Sequence, residues 1–255
     1  CLPSGDAGGL NNGVEPSARQ GALNVKRMDS REVKGVYYSW IRLEVDESLS
    51  YVVDSLGQHS LSCPSCGSGQ SGLKLNRGIT VPVGGAADFI IDVDLAKALN
   101  RQPSGDYMLR PTLRLIDMAE SGHIKGTVTA SLIPGLVSAA DTGCKVYAYI
   151  GHDITPDDFH DADNVLTSAR VLYEPNSMSY RYHVAYLPAD SVVEPSPYTV
   201  ALTCDNDDPA IDQNNDPAAL SGDDVIFGDG LSDGVGRNAD VFVNRSTRID
   251  FSPAV

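Results

Sequence analysis

The amino-acid sequence predicts an all-β protein with two β-sandwich domains and an extended N-terminal segment. Runs of strand length that are rich in β-branched and aromatic residues recur along the chain. The 24 glycines and 15 prolines supply the turns between these runs. No long segment shows the apolar period of an amphipathic helix. Short strands separated by such turns are typical of sandwiches rather than of alternating α/β folds.

The composition excludes several classes of protein. The 255 residues include 19 basic and 34 acidic ones, a formal net charge of −15, whereas nucleic-acid binding needs clustered Lys and Arg. We therefore expect no nucleic-acid partner. No apolar run approaches the roughly 18–20 residues that span a membrane as a helix. The apolar fraction of 42% is sufficient for a folded core, which excludes a wholly disordered chain.

The charge distribution divides the chain. Residues 1–134 carry 13 basic and 14 acidic side chains, whereas residues 135–255 carry 6 basic and 20 acidic ones. Such a difference indicates separate domains, with the acidity concentrated in the second. We expect a tether or donor segment at 1–35, a first sandwich at 36–134 and an acidic second sandwich at 135–255.

Strand signals follow one another closely in the first expected sandwich. The run 36–45 begins it, and its residues alternate in polarity after Trp40. One short helix is predicted at 94–100, where Asp94 can cap the N-terminus and Asn100 can end it. The predicted strands are, in order, 36–45, 51–53, 73–75, 79–83, 87–95, 107–117 and 123–132.

The second expected sandwich has strand signals and no helix signal. Its longest runs, 179–187 and 198–204, are rich in Tyr, Val, Ala and Leu, which suit a pleated and partly buried surface. The predicted strands are, in order, 145–150, 169–173, 179–187, 198–204, 240–243 and 247–251.

The first 30 residues are rich in Gly, Asn, Ser and Ala, and their weak periodicity indicates a tether. Cys1 is followed by Leu-Pro-Ser-Gly-Asp-Ala-Gly-Gly, which resembles the start of a mature bacterial lipoprotein. On this interpretation Cys1 carries the lipid, and the protein lies at the outer membrane or extracellular surface of a Gram-negative bacterium. The alternative is an arbitrary fragment boundary.

The four other cysteines predict disulfides and an oxidising compartment. Cys63 and Cys66 are followed by Gly67, which excludes a c-type haem motif, and by loop residues rather than the helix of a thioredoxin-like site. With only one such pair, zinc is not favoured. A small loop disulfide or two free thiols remain. Cys144 precedes a predicted strand and Cys204 ends another, so we expect a disulfide between them.

A carboxylate-rich segment at 205–224 predicts a calcium site, because Ca²⁺ prefers oxygen ligands and closely spaced carboxylates need a counter-ion. Pro217 stands where the helix-loop-helix calcium pattern has Gly, so an irregular calcium loop is the form expected. The alternative is a solvated acidic loop. A weaker acidic stretch lies at 152–163. The candidate ligands are Asp205, Asp207, Asp208, Asp212, Asn214, Asp216, Asp223 and Asp224.

Catalytic patterns are poor. The five histidines are scattered, and the chain has no Gly-x-Ser-x-Gly, His-Glu-x-x-His or P-loop motif. Paired carboxylates in a loop without flanking aromatic residues are a weak signal for glycosidase chemistry. We therefore expect a protein that is not an enzyme, with a glycan-active enzyme as a remote alternative.

Several motifs resemble a family of Gram-negative lipoproteins that is known as a domain of unknown function. They are YSWIRL at 38–43, SGLKLNRG at 71–78, DVDL at 92–95 and DYMLRPTLRLID at 106–117. The later segments 126–128, 186–188 and 198–204 are similar to its C-terminal extension, a sandwich of the carboxypeptidase-regulatory type. The resemblance implies two immunoglobulin- or transthyretin-like sandwiches and a secreted, membrane-anchored protein without catalytic residues.

In this family several strands usually precede the YSWIRL motif, so the first sandwich is expected to be short of strands. An incomplete sheet exposes unpaired backbone groups. We therefore predict a structural subunit that self-associates by strand addition, with donor pieces such as 22–25 and 31–33. The alternative is a calcium-dependent adhesion or ligand-binding module at the cell surface.

Overall fold

The structure is a computed structural model, and it describes residues 34–43, 47–54, 56–66, 73–75, 77–93, 98–109, 113–133, 141–156, 165–204 and 236–253. These residues are almost entirely β, which confirms the predicted fold class. No helix among them is long and apolar enough to cross a membrane. The strands are β1 Tyr37–Tyr38, β2 Ile41–Leu43, β3 Tyr51–Asp54, β4 Gly57–Ser62, β5 Leu73–Leu75, β6 Ile79–Thr80, β7 Phe89–Val93, β8 Leu99–Arg101, β9 Tyr107–Leu109, β10 Leu113–Asp117, β11 Ser121–Val128, β12 Asp141–Ile150, β13 Val165–Glu174, β14 Ser179–Pro188, β15 Ser196–Thr203, β16 Arg237–Val241 and β17 Ser246–Arg248.

The C-terminal region, described residues 121–253, is organised around one sheet of seven strands. Their order is β16-β15-β12-β13-β14-β11-β17, and every pair is antiparallel except β11 with β17. Strands β11 to β16 all contribute side chains to the main apolar core, so the sheet wraps around it. A second, smaller cluster of buried side chains is formed by Tyr147, Tyr149, Val165 and Ala201. The alternating burial of β13, from Val165 to Val171, shows one face inward and the other outward.

Two glycines let the chain after β16 run close alongside β11. A Cβ at Gly122 would collide with the Phe242 carbonyl oxygen, and one at Gly126 with the Ile249 carbonyl oxygen. This segment is held by backbone hydrogen bonds, among them the 2.8 Å bond from the Asn244 N–H to the Ser121 carbonyl. Only glycine fits at such approaches, so these two positions allow the segment to lie this close to β11.

The N-terminal region, described residues 34–120, forms four small sheets instead of one large one. Three have two strands each, β1-β6, β2-β5 and β10-β7, and the fourth has the order β3-β4-β9-β8. A compact cluster of Cys63, Cys66 and Leu73 packs against Leu109 and Leu113. Within the described residues this region therefore has a small, local core.

Both disulfides are present in the structure. Cys63 bonds to Cys66 across a separation of three residues, and Cys144 bonds to Cys204 across sixty. The second disulfide joins the neighbouring strands β12 and β15, in which Lys145 pairs with Thr203. It therefore ties β12 to the end of β15, the strand that precedes the acidic segment.

The prediction of a helix at 94–100 is wrong for residues 99–100. Residues 99–100 belong to β8, which pairs antiparallel with β9 so that Asn100 lies opposite Met108. Asn100 is buried there, and the pairing with a distant strand outweighs the weak local helix propensity. Residues 94–97 lie outside the described residues.

Two other features differ from the sequence-based expectation. Strand β4 was not predicted, because its sequence Gly-Gln-His-Ser-Leu-Ser is mostly polar and begins with a turn residue. Strand β11 lies in the segment assigned to the first sandwich, yet it pairs with β14 and β17 of the C-terminal sheet. The domain boundary at 134/135 stays a prediction, because strand pairing alone does not show which segments fold independently.

Candidate functional site

An exposed apolar feature of the N-terminal region is the hairpin of β3 and β4. The register pairs Tyr51 with Ser60 and Val53 with Gln58, and Gly57 makes the turn with a φ of +128°. That backbone angle favours glycine. In the order β3-β4-β9-β8 strand β3 is at the edge, and it pairs with no second strand among the described residues.

Large apolar side chains on this hairpin point into solvent. Leu49 is 74% exposed, Tyr51 54%, Val53 66% and Leu56 71%. Tyr51 and Val53 are two residues apart, so they lie on the same face of β3. We call these four residues the β3 patch. Exposed apolar patches mark binding surfaces in soluble proteins.

The β3 patch also lacks the residues that usually protect a sheet edge. Natural edge strands are protected by Lys, by Pro, by bulges or by a covering segment. Segment 47–54 contains neither Lys nor Pro, and the ladder between β3 and β4 has no register shift. Strand β3 therefore offers a regular backbone edge together with apolar side chains, which is the surface that strand addition requires.

The predicted calcium ligands and the predicted lipidation site lie outside the described residues, as do residues 157–163 of the second acidic stretch. At the beginning of that stretch His152 Nε2 lies 3.0 Å from Asp240 Oδ1. Within the described ranges no group of three or more His, Cys, Asp or Glu side chains is placed to hold a metal ion. The calcium site stays a prediction.

Sequence reasoning missed a pair of histidines on the outer face of the C-terminal sheet. His123 of β11 and His183 of β14 lie with ring centroids 5.2 Å apart, and the Tyr186 ring is 5.1 Å from His123. The Tyr186 N–H donates to His123 Nδ1 at 3.3 Å. The antiparallel pairing of β11 with β14, in which Lys125 lies opposite His183, brings these side chains together.

The surroundings of both imidazoles disfavour the charged form. Burial, followed by the charges of His123 and Lys125, lowers the pKa of His183 to about 4. Burial and the charge of Lys125 also lower the pKa of His123. His183 Nε2 is buried and has no hydrogen-bond partner in the described part of the chain. The pair is therefore an acid-sensitive element rather than a cation at neutral pH.

Comparison with protein families provides one match. A domain of unknown function, DUF4382, is found at residues 17–111. This DUF4382 domain contains strands β1 to β9 and begins within the segment interpreted above as a tether. The predicted resemblance to a domain of unknown function is confirmed at this level. No curated protein and no solved structure matches the chain.

Proposed function

We propose that this chain is a non-enzymatic structural protein that assembles with copies of itself by strand addition at the β3 edge. One observation carries the proposal: β3 is a regular edge strand, and its Tyr51 and Val53 side chains are more than half exposed. An added strand would pair with the edge of β3 that has no partner strand among the described residues, and it would cover the β3 patch.

The donor in this proposal is the N-terminal segment of a second copy. Residues 22–25 (Ala-Leu-Asn-Val) and 31–33 (Arg-Glu-Val) have the composition of short strands. A donor segment and an acceptor edge are different surfaces, so the contact is head-to-tail and does not close on itself. Repeated addition would therefore build a filament, or a surface layer if Cys1 carries a lipid.

An extracytoplasmic location supports this role. Two disulfides are present among the described residues, and disulfides persist mainly in oxidising compartments. We place the protein at the outer membrane or extracellular surface of a Gram-negative bacterium, where a lipid on Cys1 would anchor it. Within this proposal the DUF4382 domain supplies the acceptor edge, and the C-terminal sheet is the stable body of the subunit.

The test is to place a charge on the β3 edge. We expect Val53→Lys to abolish assembly, because an ammonium group on β3 would be buried without a partner when a strand is added. Val192→Lys is the matched control, since Val192 is 89% exposed but lies in a loop. Sedimentation velocity over a wide concentration range measures the size of the assemblies.

Wild-type protein and Val192→Lys should form concentration-dependent larger species, while Val53→Lys stays monomeric with an unchanged melting curve. Deletion of residues 1–30 should likewise leave folded monomers. A wild-type protein that is monomeric at high micromolar concentration, or a Val53→Lys variant that assembles normally, would reject the proposal. The calcium-dependent surface module would then be the better hypothesis.

A further inference from the structure

Motifs that the proposed function does not use meet at a second place in the fold. Strand β5 from SGLKLNRG, strand β10 from DYMLRPTLRLID and the end of β14 enclose an open cleft of about 330 Å³. Leu75, Leu115 and Ile116 line it, and each of them is at least 95% buried. A volume of this size is at the lower end of the range for small-molecule sites.

Three cationic side chains, Lys74, Arg77 and Arg114, line the same cleft. The cleft therefore places three basic residues beside an apolar floor. A cleft that combines an apolar surface with a few convergent polar groups is the usual form of a ligand site.

Two of the three cations already have carboxylate partners. Arg114 donates from Nε to Asp92 Oδ2 at 3.1 Å and also pairs with it through Nη2. Arg77 donates from Nη1 to the Leu115 carbonyl at 2.6 Å, and its Nη2 lies 3.4 Å from a Glu120 oxygen in an exposed pair. Exposed pairs of this kind contribute little energy, so most of the charge of Arg77 remains available to a ligand.

Lys74 has no carboxylate partner among the described residues. Its Nζ lies 5.0 Å from the centre of the half-buried Trp40 ring, and the Arg42 guanidinium lies 5.2 Å from the same ring. Only Lys74 of these two cations lines the cleft. The aromatic ring therefore contacts the ammonium group without neutralising it.

Arg114, one of the residues that line the cleft, also has an unsatisfied donor. Arg114 Nη1 is buried and has no hydrogen-bond partner in the part of the chain that the structure describes. Leaving such a donor without a partner is costly, and a charged donor more so. A negatively charged group bound in the cleft would reduce this cost, because opposite charges attract and the guanidinium is positively charged.

We propose that the cleft binds an amphiphilic anion, which carries a singly charged acidic head group on a small apolar body. Lys74 and Arg77 bind the head group, and Leu75, Leu115 and Ile116 pack against the apolar body. The site lies apart from the β3 edge, so it is independent of the assembly proposed above.

Trp40 makes this proposal testable, because it is the single tryptophan of the chain and it contacts Lys74. Octanoate is the probe, with acetate as the head group alone and 1-octanol as the apolar body alone. We expect octanoate to change the Trp40 emission in a saturable way and to bind at least about tenfold more tightly than either control, as measured by calorimetry. The Val53→Lys background keeps assembly from affecting the measurement.

Three substitutions locate the site. Lys74→Gln should weaken octanoate binding about tenfold or more, and Lys74→Arg should retain it. Arg42→Gln is the matched control, since it removes the other cation at the same ring but outside the cleft, and it should leave the affinity unchanged. Calorimetry is the deciding measurement, because Lys74→Gln also alters the surroundings of Trp40.

Any of three results would overturn the inference. They are the absence of octanoate binding, equal binding of octanoate and 1-octanol, and unchanged affinity in a folded Lys74→Gln variant. None of these results bears on assembly at the β3 edge, which is measured by sedimentation of the wild-type chain.

Discussion

The N-terminal and C-terminal regions of this protein use the same kind of secondary structure in different ways. Among the described residues, twenty-three buried hydrophobic side chains lie in 121–253 and only seven in 34–120. The large exposed hydrophobic side chains show the opposite distribution, with eight in the N-terminal region and four in the C-terminal one. Among the described residues, the C-terminal region buries most of its apolar side chains in its own core, whereas the N-terminal region leaves more of them exposed.

The difference follows from how the strands are joined. In the C-terminal region the chain that joins the edge strands β16 and β17 lies close alongside β11 at Gly122 and Gly126, so the inner face is covered by the sheet itself. The N-terminal strands are divided among four small sheets, which cannot enclose a core of similar size. Stability and binding are therefore expected to depend on different parts of the chain.

The largest expected effect comes from the disulfides. Replacing Cys144 and Cys204 by Ser should lower the free energy of unfolding by about 4 kcal/mol, because the disulfide closes a loop of sixty residues. Replacing Cys63 and Cys66 by Ser should cost about 2 kcal/mol, since only three residues separate them. Denaturant unfolding of both double variants measures the two values. Equal losses would show that loop closure in the unfolded chain does not determine the difference.

A somewhat smaller effect compares two leucines. Leu202 is 2% exposed in the C-terminal core and Leu49 is 74% exposed in the β3 patch. Leu202→Ala should destabilise by about 3 kcal/mol because it removes buried apolar atoms and leaves a cavity. Leu49→Ala should change the stability of the monomer by less than about 0.5 kcal/mol. Thermal unfolding in dilute solution checks this, and a large loss for Leu49→Ala would mean that the β3 patch is covered within the monomer.

The smallest expected effect is the pH dependence of the C-terminal sheet. The pKa of His183 is lowered to about 4 in the folded state, whereas it is about 6.5 in the unfolded chain. Between about pH 6.5 and pH 4 the unfolded chain therefore binds the proton more readily than the folded chain. The contribution of His183 to the free energy of unfolding should be fully present above this pH window and should be lost as the pH decreases through it. Because His183 is partly exposed and lies beside Lys125, we expect the free energy of unfolding to fall by about 1–2 kcal/mol.

His183→Gln should flatten the stability profile across this window, while His59→Gln, made in the N-terminal region, serves as the control substitution. Chemical unfolding at a series of pH values provides the measurement. An unchanged acid profile in His183→Gln would show that burial of this imidazole does not contribute to acid sensitivity.

The sequence by itself determined the features that depend on local pattern. Alternation of apolar and polar residues identified most strands, including β13 and β14, because side chains of a strand point to opposite faces whatever its partner is. The sequence also predicted the Cys144–Cys204 disulfide, because Cys144 precedes one predicted strand and Cys204 ends another. The helix prediction at 94–100 failed where the local signal was weak and a distant strand supplied the hydrogen bonds.

Only the tertiary structure decided which strands became neighbours. The pairing of β11 with β14 joins His123 to His183 across sixty residues, and the approach of β5 to β10 and Pro188 forms the cationic cleft. The exposed edge of β3 is likewise a consequence of sheet order. A strand pattern specifies which side chains face inward but not which other strand completes the ladder, because that choice depends on the packing of the whole chain.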